Sequence, residues 1–251
     1  MDKQLSLMSL FEVGAHRGNK KSKLNPKLKD RVFGFNQNLC LINLVETNNS
    51  IKSCSEFMYK LGQKRKQILL VGTSKHISNL TPTLANSFQN GLMPYVDNRW
   101  LGGTLSNWST IKKTLKTLEK LENIENNKEF FDKLARNEQL NIVRKREKIS
   151  KLFKGLVNLK NNKPGAIFIM DANSNDIAIK ESDGINIPVI ALSNTNTLSL
   201  PENLKYTIVT NTNSINAVQL VSETLINSYN QGLVASTTQV TQQQDKEKVK
   251  V

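Results

Sequence analysis

The sequence predicts an α/β protein: a doubly wound, mostly parallel sheet carrying an inserted antiparallel coiled-coil helical hairpin. Three observations support this. Ile68-Leu69-Leu70-Val71, Ala166-Ile167-Phe168-Ile169-Met170 and Pro188-Val189-Ile190-Ala191-Leu192 are apolar throughout, so each has the pattern of a strand buried on both faces. Helical segments alternate with these runs, as crossovers between parallel strands require. Between residues 105 and 160 the pattern changes. There, Trp108, Ile111, Leu115, Leu118, Leu121 and Ile124 form one stripe at steps of three and four, and Ile142, Ile149, Leu152, Leu156 and Leu159 form a second.

Taken in order, Leu5, Met8 and Phe11 step by three, so residues 1 to 13 hold a short amphipathic helix. Arg17, Lys20, Lys21, Lys23, Lys27, Lys29 and Arg31 then crowd a stretch interrupted by Gly18, Asn25 and Pro26, which predicts an extended loop. A loop of this kind can follow a phosphate backbone, releasing counterions as each cation neutralises a phosphate. The alternative is a basic arm that stays disordered without RNA. Val32 to Phe35 and Leu39 to Asn43 read as strands, and Thr47 to Leu61 as a helix. Past the Ile68 strand, His76 to Gln89 reads as the returning helix, which Pro82 must kink or restart, and Met93 to Val96 as another strand.

Asn98 to Trp108 is the joint from which the hairpin leaves. Gly102-Gly103 permits close backbone approach, and Thr104, Ser106 and Asn107 can cap the helix that follows. The outer faces of the hairpin carry Lys112, Lys113, Lys116, Lys120, Arg144, Lys145, Arg146, Lys148, Lys151 and Lys154; such a run is either a cationic docking face or a solvated one. Beyond the hairpin, Asp176 to Asp183 is a helix, Tyr206 to Val209 a strand and Ser214 to Tyr229 a capped helix. Residues 1–104 and 161–232 thus make a discontinuous body, 105–160 the insertion, and 233–251, with no stripe that can pack, a disordered tail.

Lys and Arg number 35 against 21 Asp and Glu, a formal net charge of +14 with a pI near 9.7. That balance calls for a polyanionic partner, either nucleic acid or an anionic membrane surface. No apolar run approaches the roughly 18 to 20 residues that span a bilayer, and the N-terminus lacks a signal-peptide core, so a soluble intracellular protein is expected. Cys40 and Cys54 read as small buried hydrophobes. With two histidines, His16 and His76, and no Cys-x-x-Cys pair, no metal site is expected. Gly72-Thr73-Ser74-Lys75 lacks the spaced glycines of a phosphate-cradling loop. Asp171 reads as a strand-end turn or cap residue, and neither histidine has the local partners of a triad. No catalytic residue, cofactor or small-molecule substrate is expected, and nucleotides should produce no thermal shift. A nucleotide-dependent enzyme is the alternative that the fold class keeps open.

Arg99-Trp100-Leu101-Gly102-Gly103, the Leu105-x-Asn107-Trp108 continuation and the hairpin after it resemble the second protein of the small ribosomal subunit, in its bacterial or organellar form. Gly14-Ala15-His16-Arg17-Gly18, Asn25-Pro26-Lys27-Leu28-Lys29, Ile42-Asn43-Leu44-x-x-Thr47, Val71-Gly72-Thr73, and Asp171-Ala172 through Ile177-Ala178-Ile179-Lys180-Glu181 to Ile187-Pro188 resemble other segments of that family in the same order. The resemblance extends from about residue 8 to about residue 230. It implies a flavodoxin-like body and a structural role without catalysis. It also implies contact with small-subunit rRNA and neighbouring ribosomal proteins, including the large mRNA-binding one where present, in a bacterial cytoplasm or in a mitochondrion or plastid. The RNA-binding residues expected are Arg17, Lys20, Lys21, Lys23, Lys27, Lys29, Arg31, Arg99, Lys112, Lys113, Arg144, Lys145 and Arg146, gripping folded RNA mainly through phosphates.

Trp100 and Trp108 either stack on bases or anchor the hairpin in the body. The chain departs from the family pattern at Asn19, where a second His is usual. It departs again at Ser193-Asn194-Thr195-Asn196-Thr197-Leu198 and at Thr210-Asn211-Thr212-Asn213-Ser214, where the family commonly carries acids. The last segment still supplies a helix cap. A free-standing RNA-binding assembly factor is the second functional reading.

Overall fold

The computed structural model describes residues 6–159, 163–198, 200 and 206–248. Leu7–Glu12 forms α1, opened by Ser6, whose Oγ accepts from Ser9 N at 3.0 Å; Leu5 lies outside the described residues. Arg17–Lys20 (β1), Val32–Asn36 (β2) and Leu39–Ile42 (β3) form an antiparallel sheet in the order β1-β3-β2. Gln37 and Asn38 join β2 to β3 at φ 45° and 65°, the left-handed pair that a two-residue hairpin turn needs.

The basic segment is therefore not the extended loop that its glycine, asparagine and proline suggested. It is β1 followed by two 3₁₀ turns, Lys21–Lys23 and Pro26–Arg31. Asn25 explains the order: its side chain accepts from Lys27 N at 3.0 Å and donates to the Thr197 carbonyl at 2.7 Å. Leu28 adds an apolar anchor beside Ile42 and Val209.

The rest of the body alternates as expected. Leu44–Gln63 is α2, Ile68–Val71 is β4, Leu80–Asn86 is α3 and Tyr95–Val96 is β5. The helix α2 begins earlier than predicted because Asn43 Oδ1 accepts from Val45 N at 3.1 Å. Pro82 restarts the return helix at Leu80 and sits in its first turn, where a missing N–H costs little. Trp108–Asn126 (α4), Lys128–Phe131 (α5) and Arg136–Phe153 (α6) follow, and Ala166–Ile169 (β6) resumes the sheet. The expected boundary between insertion and body at residues 160 and 161 lies outside the described residues. Asp176–Gly184 (α7), Val189–Ser193 (β7), Thr207–Val209 (β8) and Ile215–Lys248 (α8) complete the chain.

The second sheet is parallel throughout, in the order β5-β4-β6-β7-β8. Numbered within the sheet this is 2-1-3-4-5, the flavodoxin-like order. Side chains alternate between two cores. Ile68, Leu70, Ala166, Phe168, Ile190 and Leu192 face α2, α3 and α8, whereas Leu69, Val71, Ile167, Ile169, Val189 and Ala191 face α7 and the feet of α4 and α6. The strands are apolar throughout because both faces are covered.

Two glycines let α2 and α8 meet backbone to backbone. A Cβ on Gly62 would fall 2.1 Å from the Tyr229 carbonyl oxygen, and one on Gly232 would fall 2.1 Å from that of Tyr59. The closing helix also departs from expectation at its end. It continues unbroken to Lys248, where a disordered tail was expected from residue 233; residues 249–251 lie outside the described residues. Once a helix is nucleated, each added residue gains a hydrogen bond, and Gln, Lys and Glu oppose that little. Among the described residues, no helix is long and apolar enough to cross a membrane.

Candidate RNA interface

The joint beneath the two long helices is organised by an acid on another element. Glu181, on α7, receives Trp100 Nε1 at 3.0 Å and Gly103 N at 3.2 Å on one carboxylate oxygen. Its other oxygen receives Leu105 N and Ser106 N at 2.8 Å each and Ser106 Oγ at 2.9 Å. Burial alone would raise the Glu181 pKa, but these hydrogen bonds outweigh it and hold the group below its ordinary value. Trp100, 5% exposed, is thereby an anchor in the body, and Trp108 packs half-buried on the same core.

The expected helix caps act differently. Ser106 binds Glu181, Thr104 Oγ1 donates to the Leu101 carbonyl, and Asn107 Oδ1 accepts from Ser109 and Thr110 hydroxyls instead of a backbone amide. Gly155 completes the joint: a Cβ there would lie 2.2 Å from the Tyr95 carbonyl oxygen, so only glycine lets the chain after α6 approach β5.

Around this frame the predicted cations fall into two groups. Arg17, Lys20, Lys21, Lys23, Lys27 and Lys29 are exposed along β1 and the 3₁₀ turns, with Lys21 Nζ 4.8 Å from the Phe35 ring centroid. Arg99, Lys112, Lys113, Arg144 and Lys145 are exposed on the joint, α4 and α6. Two of the named cations are engaged within the protein. Arg31 Nη1 reaches Ser50 Oγ at 2.9 Å and Glu46 at 3.4 Å, tying the basic segment to α2, and Arg146 pairs with Glu125 at 2.6 Å, tying α6 to α4. Among the described residues, none of the other named cations forms an ion pair.

The crevice between β4 and β6, where doubly wound folds take ligands, is closed by the protein's own side chains. Asp171 Oδ2 accepts from Ser74 Oγ and Ser174 Oγ, each at 2.6 Å, and Thr73 Oγ1 donates to Asn175 Oδ1 at 2.9 Å. Gly72 serves packing there, since a Cβ would fall 2.2 Å from Thr81 Oγ1. His76 Nε2 donates to the Thr212 carbonyl at 2.9 Å, and His16 stacks on Phe11 at 4.3 Å with its pKa lowered by burial and then by Arg17. Cys40 and Cys54 are free and buried, and burial pushes the Cys54 thiol up to about 12.

The segments that depart from the family pattern meet in space. Asn19 Nδ2 donates to Asn196 Oδ1 at 2.6 Å and Asn19 N to Thr195 Oγ1 at 2.9 Å, so neutral amides and hydroxyls lock β1 to the loop after β7. Ser214 Oγ accepts from Ala217 N at 3.4 Å, which makes it the cap expected for α8. Sequence reasoning missed Glu181 and Gly155 as organisers of the joint; the one available signal was the position of Glu181 at the end of a matching segment.

The family described as Ribosomal protein S2 matches residues 10–232. The small ribosomal subunit protein uS2 of Acinetobacter baylyi is 33% identical over 224 residues, covering 89% of this chain and 87% of that protein. Its namesake in Psychromonas ingrahamii is 34% identical over 219 residues, 87% of each chain. In Salinibacter ruber the protein of that name is 30% identical over 230 residues, 92% of this chain and 70% of its own length. By the extent of that match and the sheet order and joint described above, the chain belongs to the ribosomal protein S2 family.

Proposed function

We propose that the chain is a structural constituent of the small ribosomal subunit of a bacterium, where it binds rRNA and neighbouring ribosomal proteins and so supports subunit assembly and translation. It is not an enzyme. The observation that carries the reading is the pair of exposed cationic surfaces, one on β1 and its turns and one on α4 and α6, whose named cations other than Arg31 and Arg146 form no ion pair among the described residues. Each exposed Lys or Arg can neutralise a phosphate, and a shape-matched set selects a fold of RNA more than a base sequence.

Residues 105–160 act in this account as an antiparallel coiled-coil arm on a body formed by 1–104 and 161–232. Two observations favour that arrangement: Ile111 near the start of α4 and Phe153 at the end of α6 share one core, and the Arg146–Glu125 pair joins the helices further out. The partners are small-subunit rRNA and adjacent ribosomal proteins, the large mRNA-binding one included where it exists; a membrane and a small-molecule substrate have no part.

Sedimentation of a tagged copy through a high-magnesium gradient tests the reading. Co-migration with small subunits at near-stoichiometric amount is expected. A copy found mostly at the top of the gradient contradicts it and points to a free-standing assembly factor.

A further inference from the structure

A cleft of about 400 Å³ opens where the foot of the arm meets the sheet. The segments that follow β4 and β5 supply one wall, with Lys75, Asp97 and Asn98; the end of α6 and the turn after it supply the other, with Lys151 and Lys154. The walls are fixed to each other. Asn98 Nδ2 donates to the Lys151 carbonyl at 3.4 Å, and Gly155 rests against the Tyr95 backbone. Lys75, Lys151 and Lys154 therefore line one cleft with a single carboxylate, Asp97, on which the charge of Lys154 acts, and no ion pair among the described residues joins any of the three lysines to an acid.

Exposed like charges gathered along one cleft raise the local positive potential and so favour an anion there. The volume lies within the range of ligand pockets, and the cleft lies on the β5 side of β4, apart from the β4–β6 crevice that Asp171, Ser74 and Ser174 close. We propose that this cleft is a phosphate seat that takes a phosphodiester of the RNA backbone, so that one nucleic-acid strand is gripped by arm and body together. The proposal rests on the rRNA-binding reading above, but it assigns Lys75, Lys151 and Lys154, which that reading does not require. A free nucleoside monophosphate carries similar chemistry, and the test separates the two sources.

The experiment uses the full chain and small-subunit rRNA, with affinity measured over a range of salt. The triple variant Lys75→Gln, Lys151→Gln, Lys154→Gln should bind at least about tenfold more weakly, with the slope of log affinity on log salt reduced by about 0.7 to 0.9 for each phosphate lost. Removing the one opposing charge, Asp97→Asn, should tighten binding severalfold. An equal charge change on α2 and its C-cap, through Lys52→Gln, Lys60→Gln and Lys64→Gln, should cost distinctly less. The seat is overturned if the α2 triple and the cleft triple lose equal affinity, if the cleft triple binds like the parent, or if Asp97→Asn fails to tighten binding; in each case the general rRNA reading survives. If the parent itself does not bind rRNA, both fall. Adenosine monophosphate that raises the parent melting temperature but not that of the cleft triple would overturn the RNA source in favour of a small ligand.

Discussion

At the residue scale, Glu181 joins α7 to the segment that leads into α4 by accepting several donors at once. Glu181→Ala leaves the amides of Gly103, Leu105 and Ser106 without that acceptor and should destabilise the protein by about 1 to 3 kcal/mol, read from its denaturation midpoint. The pH dependence has a definite sign. Its pKa is depressed in the folded state, so its contribution is present above the unfolded value, ordinarily about 4.3, and is lost as pH falls through the folded one. Asp97 acts oppositely: burial raises its pKa, so ionisation weakens the fold as pH rises through that raised value, and Asp97→Asn should remove the effect. Melting curves of both variants across acidic pH separate the two; a Glu181→Gln variant as acid-sensitive as the parent would refute this role. Cys54, with its thiol raised to about 12, should resist alkylation until denaturant is added. The cysteine roles were legible as buried small residues. Glu181 was not, because its partners are backbone amides distant in sequence, and sequence spacing gives no sign of such an acceptor.

At the element scale, close approach explains more than propensity does. Gly62→Ala or Gly232→Ala places a methyl against a carbonyl of the facing helix and should cost about 1 to 3 kcal/mol by forcing α2 and α8 apart. Gly155→Ala should loosen the contact between the turn after α6 and β5 instead, which faster amide exchange at the end of α6 would reveal; unchanged exchange would show that the joint tolerates the methyl. The strands β4, β6 and β7 were readable because a run buried on both faces has to be apolar throughout. The order in the basic segment was not, since Asn25, Leu28 and Asn19 are held by Thr197, Val209 and Asn196, partners that local sequence cannot reveal.

At the scale of the whole molecule, the parallel sheet and the exposed charge lie in different places. The crevice at the switch of strand order is closed by Asp171, Ser74 and Ser174, while positive charge is displayed on β1, its turns and the two long helices. Composition alone suggested a polyanionic partner, and the motif string announced the family, which the match over residues 10–232 bears out.

The central claim is that exposed cations clamp a preformed protein onto folded rRNA. Charge reversal at Lys20, Lys21 and Lys23, three exposed positions, tests it most directly, with affinity for small-subunit rRNA measured across a salt series. The account predicts weaker binding and a salt slope shallower by about 0.7 to 0.9 per phosphate contact removed. Identical affinity and slope for variant and parent would contradict it.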